Sequence, residues 1–166
     1  GMTADEIDKY INQIAFSGAE EFLQQYKGKE GAEQIIGHFG LGFYSSFMVA
    51  EKVDVISLKA GKKEAWMWSS DGETGFEITK GVKKENGTSI KLYLNEEGKE
   101  YASRWKLEGL VKKYSDHIDA PIMLTYEDTE YDDKGKEKSK EIKKAVINTA
   151  FFYFLKALMP FIKNAL

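Results

Sequence analysis

Residues 37 to 46 read Gly-His-Phe-Gly-Leu-Gly-Phe-Tyr-Ser-Ser, and the three glycines limit what this region can become. Without Cβ atoms at Gly37, Gly40 and Gly42, successive backbone amides can turn together toward one anion. The apolar run that follows, Phe43 to Ala50, predicts a buried helix. The first turn of such a helix would add unsatisfied N–H groups and the positive end of its dipole. The pattern follows no predicted strand and lacks a Gly-Lys-Ser/Thr ending, so neither the Rossmann nor the Walker form of phosphate loop applies. The glycines alone leave two readings open: a phosphate cradle, or a plain turn ahead of a core helix.

The rest of the chain sets bounds on those readings. Its 166 residues suffice for one domain with a real core. With 42% hydrophobic and 31% charged residues it has the composition of a globular protein. A net charge of -3 argues against a nucleic-acid-binding face, which needs a strongly basic surface. There are no cysteines, which excludes disulfides and thiolate-bound metals and fits a reducing compartment. His38 and His117 have no metal-ligand spacing, so no metal site is expected. The first ten residues are polar and acidic, unlike a signal peptide, and a cytoplasmic location is expected.

Periodicity gives an α+β reading. Thr3-Ala4-Asp5-Glu6 has the form of a capping box, and Ile7, Tyr10, Ile11 and Ile14 recur at helical spacing, predicting a helix over roughly 4 to 15. A second short helix is expected over Ala19 to Gln25, followed by a polar segment punctuated by glycine at Gly28 and Gly31. After the glycine loop the period changes to two. Strands are expected over Val53 to Lys59, Glu64 to Ser70 with Trp66 and Trp68 on one face, Phe76 to Thr79, and Thr88 to Leu94. Asn86-Gly87 is a tight-turn signal before the last of these. Leu107, Leu110, Val111, Tyr114 and Ile118 predict a helix of about four turns, and Pro121 to Glu127 a final strand. Trp66 and Trp68 are read as sheet core rather than ligand-stacking groups.

Two stretches near the end stand apart. Asp128 to Lys144 is charge-dense and is expected to be a solvated loop or linker. From Ala145 to Leu166 the charges are Lys156 and Lys163 alone, predicting an apolar helical tail kinked or ended at Pro160. A membrane span needs about twenty mostly apolar residues, and Asn148, Lys156 and Pro160 interrupt this run, so a membrane role is not expected.

Several motifs in order resemble one family. GHFGLGFYSSFMVA, residues 37 to 50, closely resembles the phosphate loop of the ninety-kilodalton heat-shock chaperones, in particular the bacterial HtpG-like members. Gly1-Met2-Thr3 resembles the end of that family's D-x-G-x-G-M-T motif, and Ile14 to Gly18 the start of its ATP lid. Trp68-Ser69-Ser70, Gly87-Thr88 and Val111 to Ile118 resemble three later motifs. The resemblance covers roughly residues 1 to 141.

This resemblance implies a two-layer sandwich with a mostly antiparallel sheet, the gyrase–histidine kinase–MutL type of ATP-binding fold. It implies a partial nucleotide-binding domain over 1–127, with a lid at about 15–36. It implies that Gly1 belongs to the adenine-binding turn, that Met2 lines the adenine pocket, and that Thr88 bonds toward the adenine amino group through water. Gly37, Gly40, Leu41, Gly42 and Phe43 would surround the phosphates, mainly through backbone amides. ATP or ADP would be the ligand; client proteins and a second copy would be partners of the full-length chaperone.

The family's catalytic glutamate, its magnesium-binding asparagine and its adenine-binding aspartate would all fall before Gly1. No catalytic or metal-binding residue is therefore expected within this stretch. A charged hydrogen bond contributes about 1.5–3 kcal/mol, so this polypeptide alone is expected neither to hydrolyse ATP nor to bind it tightly. The alternative expectation is a non-catalytic module that pairs with other chains through its exposed surfaces.

Overall fold

The computed structural model describes residues 1–13 and 41–149. The expected second helix over 19–25, the lid at 15–36, Gly37, His38 and Gly40, and the tail beyond 149 lie outside the described residues. The chain divides into two compact units, Gly1–Lys99 and Glu100–Leu166.

In the first unit the capping box forms as read. Glu6 N–H donates to Thr3 Oγ1 (3.3 Å), and Thr3 N–H donates to Glu6 Oε2 (2.9 Å). Helix α1 (Ala4–Ile11) starts there and ends at the cap residue Asn12. Its apolar stripe buries Ile7 completely, which contributes about 1.5–3 kcal/mol relative to exposure. Residues 14 and 15, expected as its last turn, lie outside the described residues.

Four antiparallel strands follow: β1 (Ala50–Leu58), β2 (Ala65–Ser70), β3 (Phe76–Gly81) and β4 (Gly87–Leu94), in the order β3-β2-β1-β4. Alternation places Val53, Val55 and Ser57 on one face of β1. Opposite them in the register stand Trp68 on β2 and Leu92, Ile90 and Thr88 on β4. α1 packs on this face, and Ile7, Ala50, Val53, Val55 and Trp68 form the core, with Met2, Phe43, Phe47 and Trp66 packed around them. The core role expected for the two tryptophans is what the sheet shows. Ile90 and Leu92 share the core face yet remain 55% and 38% exposed, because α1 covers the β1–β2 side of it.

Asn86-Gly87 does not close a hairpin. β3 and β4 lie at opposite ends of the sheet, and Gly87, at φ +119°, is instead the first residue of β4, pairing with Leu58.

The expected buried helix over Phe43 to Ala50 is a 3-10 helix over Gly42–Met48 with no buried residue, and Ala50 opens β1. Two hydroxyls help set that geometry. Ser45 Oγ donates to Gly42 O (2.6 Å) and Ser46 Oγ to Phe43 O (2.7 Å), matching the three-residue spacing of the tighter helix.

The second unit holds α2 (Arg104–Tyr114) and a hairpin of β5 (Met123–Tyr131) and β6 (Glu137–Val146). α2 is shorter than expected; Leu107, Leu110 and Val111 are half-buried, Tyr114 is exposed, and Ile118 lies past the helix end. The charged stretch 128–144, expected as loop or linker, is mostly strand. Diagonal ion pairs cross the ladder: Lys140 pairs with Glu127 (3.0 Å) and Lys143 with Asp128, while Ser139 Oγ donates to Glu130 opposite it. Cross-strand pairs of this kind stabilise a solvated hairpin. Gly135 makes its turn at φ +73°. Ala145 and Val146, expected in a helical tail, complete β6. Among the described residues no helix is long and apolar enough to cross a membrane.

Candidate functional site

Ser57 sits in the middle of this arrangement. It is fully buried on the α1-facing side of β1, directly opposite Thr88 in the β1–β4 register. Met2 N–H donates to Ser57 Oγ at 2.7 Å, across 55 residues of sequence. Ser57 Oγ also lies 2.7 Å from Thr88 Oγ1, across another 31. Two of the expected adenine-site residues, Met2 and Thr88, are thereby joined through a third that carried no sequence signal. A single serine in an apolar strand looks like an ordinary strand residue; only the register reveals its neighbours.

Gly1 belongs to the same cluster. A Cβ there would lie 2.0 Å from Leu58 O and 2.8 Å from Gly87 O, so only glycine lets the chain pass between the ends of β1 and β4. Met2 is half-buried against the core, and Thr88 is exposed at the rim.

The expected phosphate residues divide differently. Phe43 turns its ring inward, in edge-to-face contact with Trp68 (5.5 Å between centroids), so its side chain belongs to the core. Leu41 is 51% exposed, and a Cβ at Gly42 would meet nothing within 4 Å. Among the described residues, nothing stands where a side chain at Gly42 would point. Met2 and Phe43 pack against the same core cluster and flank it. Gly37 and Gly40 lie outside the described residues.

Tyr44 ties the helix after Gly42 to the end of α1. Tyr44 Oη donates to Ile11 O, the last carbonyl of α1, and burial raises the Tyr44 phenol above its ordinary pKa. Beside this contact lies a cavity of about 430 Å³ lined by Ile11, Tyr44, Phe47, Trp68 and Phe76 among others; none of Gly1, Met2 and Thr88 lines it.

Charged groups near the cluster serve structure. The Lys59 ammonium bonded to Glu6, together with Thr3, holds the Glu6 carboxyl below its ordinary pKa. On the opposite sheet face, burial pushes Asp54 up. Bonds from Ser69 Oγ (2.7 Å) and Tyr93 Oη (2.9 Å), with the nearby Lys52 ammonium, outweigh it and leave the carboxyl lowered. Among the described residues no group of three His, Cys, Asp or Glu converges as a metal site. His117 is exposed, and its neighbour Asp116 accepts from Thr149.

No protein-family model matches the chain. It is similar to the chaperone protein HtpG of Borreliella burgdorferi, 47% identical over 149 residues, which is 89% of this chain and 24% of that protein. It is also similar to HtpG of Treponema denticola, 44% identical over 162 residues (90% and 25%). A third relative is HtpG of Helicobacter pylori strain HPAG1, 46% identical over 144 residues (86% and 23%). In sequence the chain is a segment of the ninety-kilodalton heat-shock chaperone family. Within that family it is HtpG-like, and it spans about a quarter of the length of the curated relatives it matches.

Proposed function

We propose that this segment supplies the adenine-contacting side of an ATP-binding domain, in a chaperone whose nucleotide cycle drives lid closure, dimerisation and client folding. The observation that carries the reading is the Met2–Ser57–Thr88 network, which joins two motifs distant in sequence at one rim of the sheet. A helix packed on one face of an antiparallel sheet supports the two-layer fold of the gyrase–histidine kinase–MutL type.

In this reading Met2 and the Gly1 turn line the adenine, and Thr88 bonds toward its amino group through water. Gly37, Gly40, Leu41, Gly42 and Phe43 follow the phosphates with backbone amides. Two features fit. Phe43 commits its ring to the core, leaving its backbone for the ligand, and no described residue lies within 4 Å of where a Cβ at Gly42 would stand. Bound ATP supplies the phosphoanhydride; the residues here bind and orient it. The magnesium ion implied by the family finds no ligand set among the described residues, and no hydrolytic step is assigned to them.

Calorimetry of the polypeptide with ATP and with GTP tests the reading. ATP should bind, with GTP at least about tenfold weaker, because a site built to hydrogen-bond one base edge rejects another. Equal affinity for both, or no ATP heat at roughly 10 mM, would overturn it.

A further inference from the structure

We propose that Ser57 is a positioning residue that turns the Thr88 hydroxyl proton outward, making Thr88 a one-way hydrogen-bond donor toward the base; this rests on the adenine reading above. The argument is an account of protons. A serine hydroxyl has one proton and two lone pairs. The Met2 amide can only donate, so at 2.7 Å it occupies Ser57 Oγ as an acceptor. The Ser57 proton then needs an acceptor of its own. Ser57 is fully buried, and among the described residues Thr88 Oγ1, at 2.7 Å, is the one available to it.

The reverse polarity, with Thr88 donating to Ser57, would leave the Ser57 proton buried without a partner. That disfavours it by roughly ten- to a hundredfold. The chain therefore runs one way, from Met2 N–H to the Ser57 hydroxyl and on to the Thr88 hydroxyl, each bond polarising the next. Thr88 is exposed, and its proton has no partner among the described residues. It is presented to whatever occupies the rim.

A donor fixed in this sense selects a ligand by chemistry. It pairs with a ring nitrogen that carries a lone pair, as in adenine, or with the oxygen of a water bridging to such a base. A base edge presenting N–H directly to the hydroxyl, with no water between, meets donor against donor; a bridging water accepts from both Thr88 and the adenine amino group. Ser57, which touches no ligand, thus sets the base preference of Thr88.

The test is ATP affinity, by calorimetry, for Ser57→Ala, Thr88→Val, the double variant, Ser57→Thr and Thr88→Ser. Each of the first two should weaken ATP about tenfold. The double variant should be no weaker than Thr88→Val to within about twofold, because both changes break one relay. Ser57→Thr and Thr88→Ser, which keep the hydroxyls, should restore binding. Additive losses of about a hundredfold, or wild-type affinity in Thr88→Val, would overturn the proposal. Thr88 lies at the exposed end, so that variant stays informative even if Ser57→Ala fails to fold.

The Met2 amide proton gives a readout that needs no nucleotide. Its downfield NMR shift should persist in Thr88→Val and be lost in Ser57→Ala. Retention of the shift in Ser57→Ala refutes the relay. Failure of the wild type to bind ATP refutes the adenine reading instead, so the two failures are distinguishable.

Discussion

Trp68 Nε1 donates to Asn12 Oδ1 at 2.6 Å, joining the C-terminal end of α1 to the centre of the sheet across 56 residues of sequence. Asn12 Nδ2 in turn donates to Asp8 Oδ1 (2.6 Å), so the carboxamide is held from both sides. Trp68 also makes T-shaped contacts with Phe43 and Phe47, and the same indole therefore ties α1 to the glycine-loop helix. Asn12→Ala leaves the buried indole N–H without its partner and should cost about 1–3 kcal/mol. Urea unfolding followed by tryptophan emission measures this; a change under about 0.5 kcal/mol would show that the bond contributes nothing.

Gly1→Ala should displace the backbone at Gly1, and Met2 with it, without melting the fold. The added Cβ would overlap Leu58 O at 2.0 Å and Gly87 O at 2.8 Å, so the backbone here must shift away from β1 and β4 to relieve the clash. The expected result is a small change in Tm, loss of the downfield Met2 amide shift, and weaker ATP binding. An unchanged Met2 amide would show that the close approach at Gly1 does not position Met2.

Asn148 should be among the most sensitive polar positions of the second unit. It is fully buried, accepts from Ile122 N (2.8 Å), and donates to Ile118 O (2.6 Å) and Ala120 O (2.9 Å). It thereby closes the connection between α2 and β5 onto the end of β6. Asn148→Ala should destabilise this unit by roughly 2–4 kcal/mol, since three hydrogen bonds of one fully buried carboxamide are lost at once. Retention of wild-type urea stability would contradict that.

The β2–β3 turn should show an acid limb. Thr74 Oγ1 and the amides of Thr74 and Glu73 donate to the Asp71 carboxylate and lower its pKa from 3.8 to about 2. The folded value lies below the unfolded one, so the stabilisation is fully present above pH 3.8 and is lost as pH falls through about 2. Asp71→Ala should therefore be less stable than wild type at neutral pH, with the difference closing over that window. A difference independent of pH would mean that the carboxylate charge is not what holds the turn.

What could be read from the sequence depended on how local the cause was. The capping box at Thr3 and Glu6 needs four residues and formed as expected. The alternation of Trp66 and Trp68 needs three and gave the correct face. Where the cause is a partner far along the chain, the signal is absent: nothing near Ser57 announces Met2 or Thr88. The charged stretch 128–144 misled for a related reason. Its density reads as solvation, and only the register reveals that 128–131 fold back onto 137–141 while 142–144 pair with the start of β5. In the glycine loop, the apolar run after Gly42 suggested a buried helix, but the hydroxyls of Ser45 and Ser46 and the start of β1 at Ala50 divide that run between two elements.

The central claim is that Met2, Ser57 and Thr88 form one side of an adenine site. Two-dimensional NMR of the polypeptide titrated with ATP tests it most directly. Resonances of Met2, Ser57, Thr88, Gly42 and Phe43 should move together along one binding curve. Shifts confined to other parts of the chain, or none at saturating nucleotide, would contradict the account.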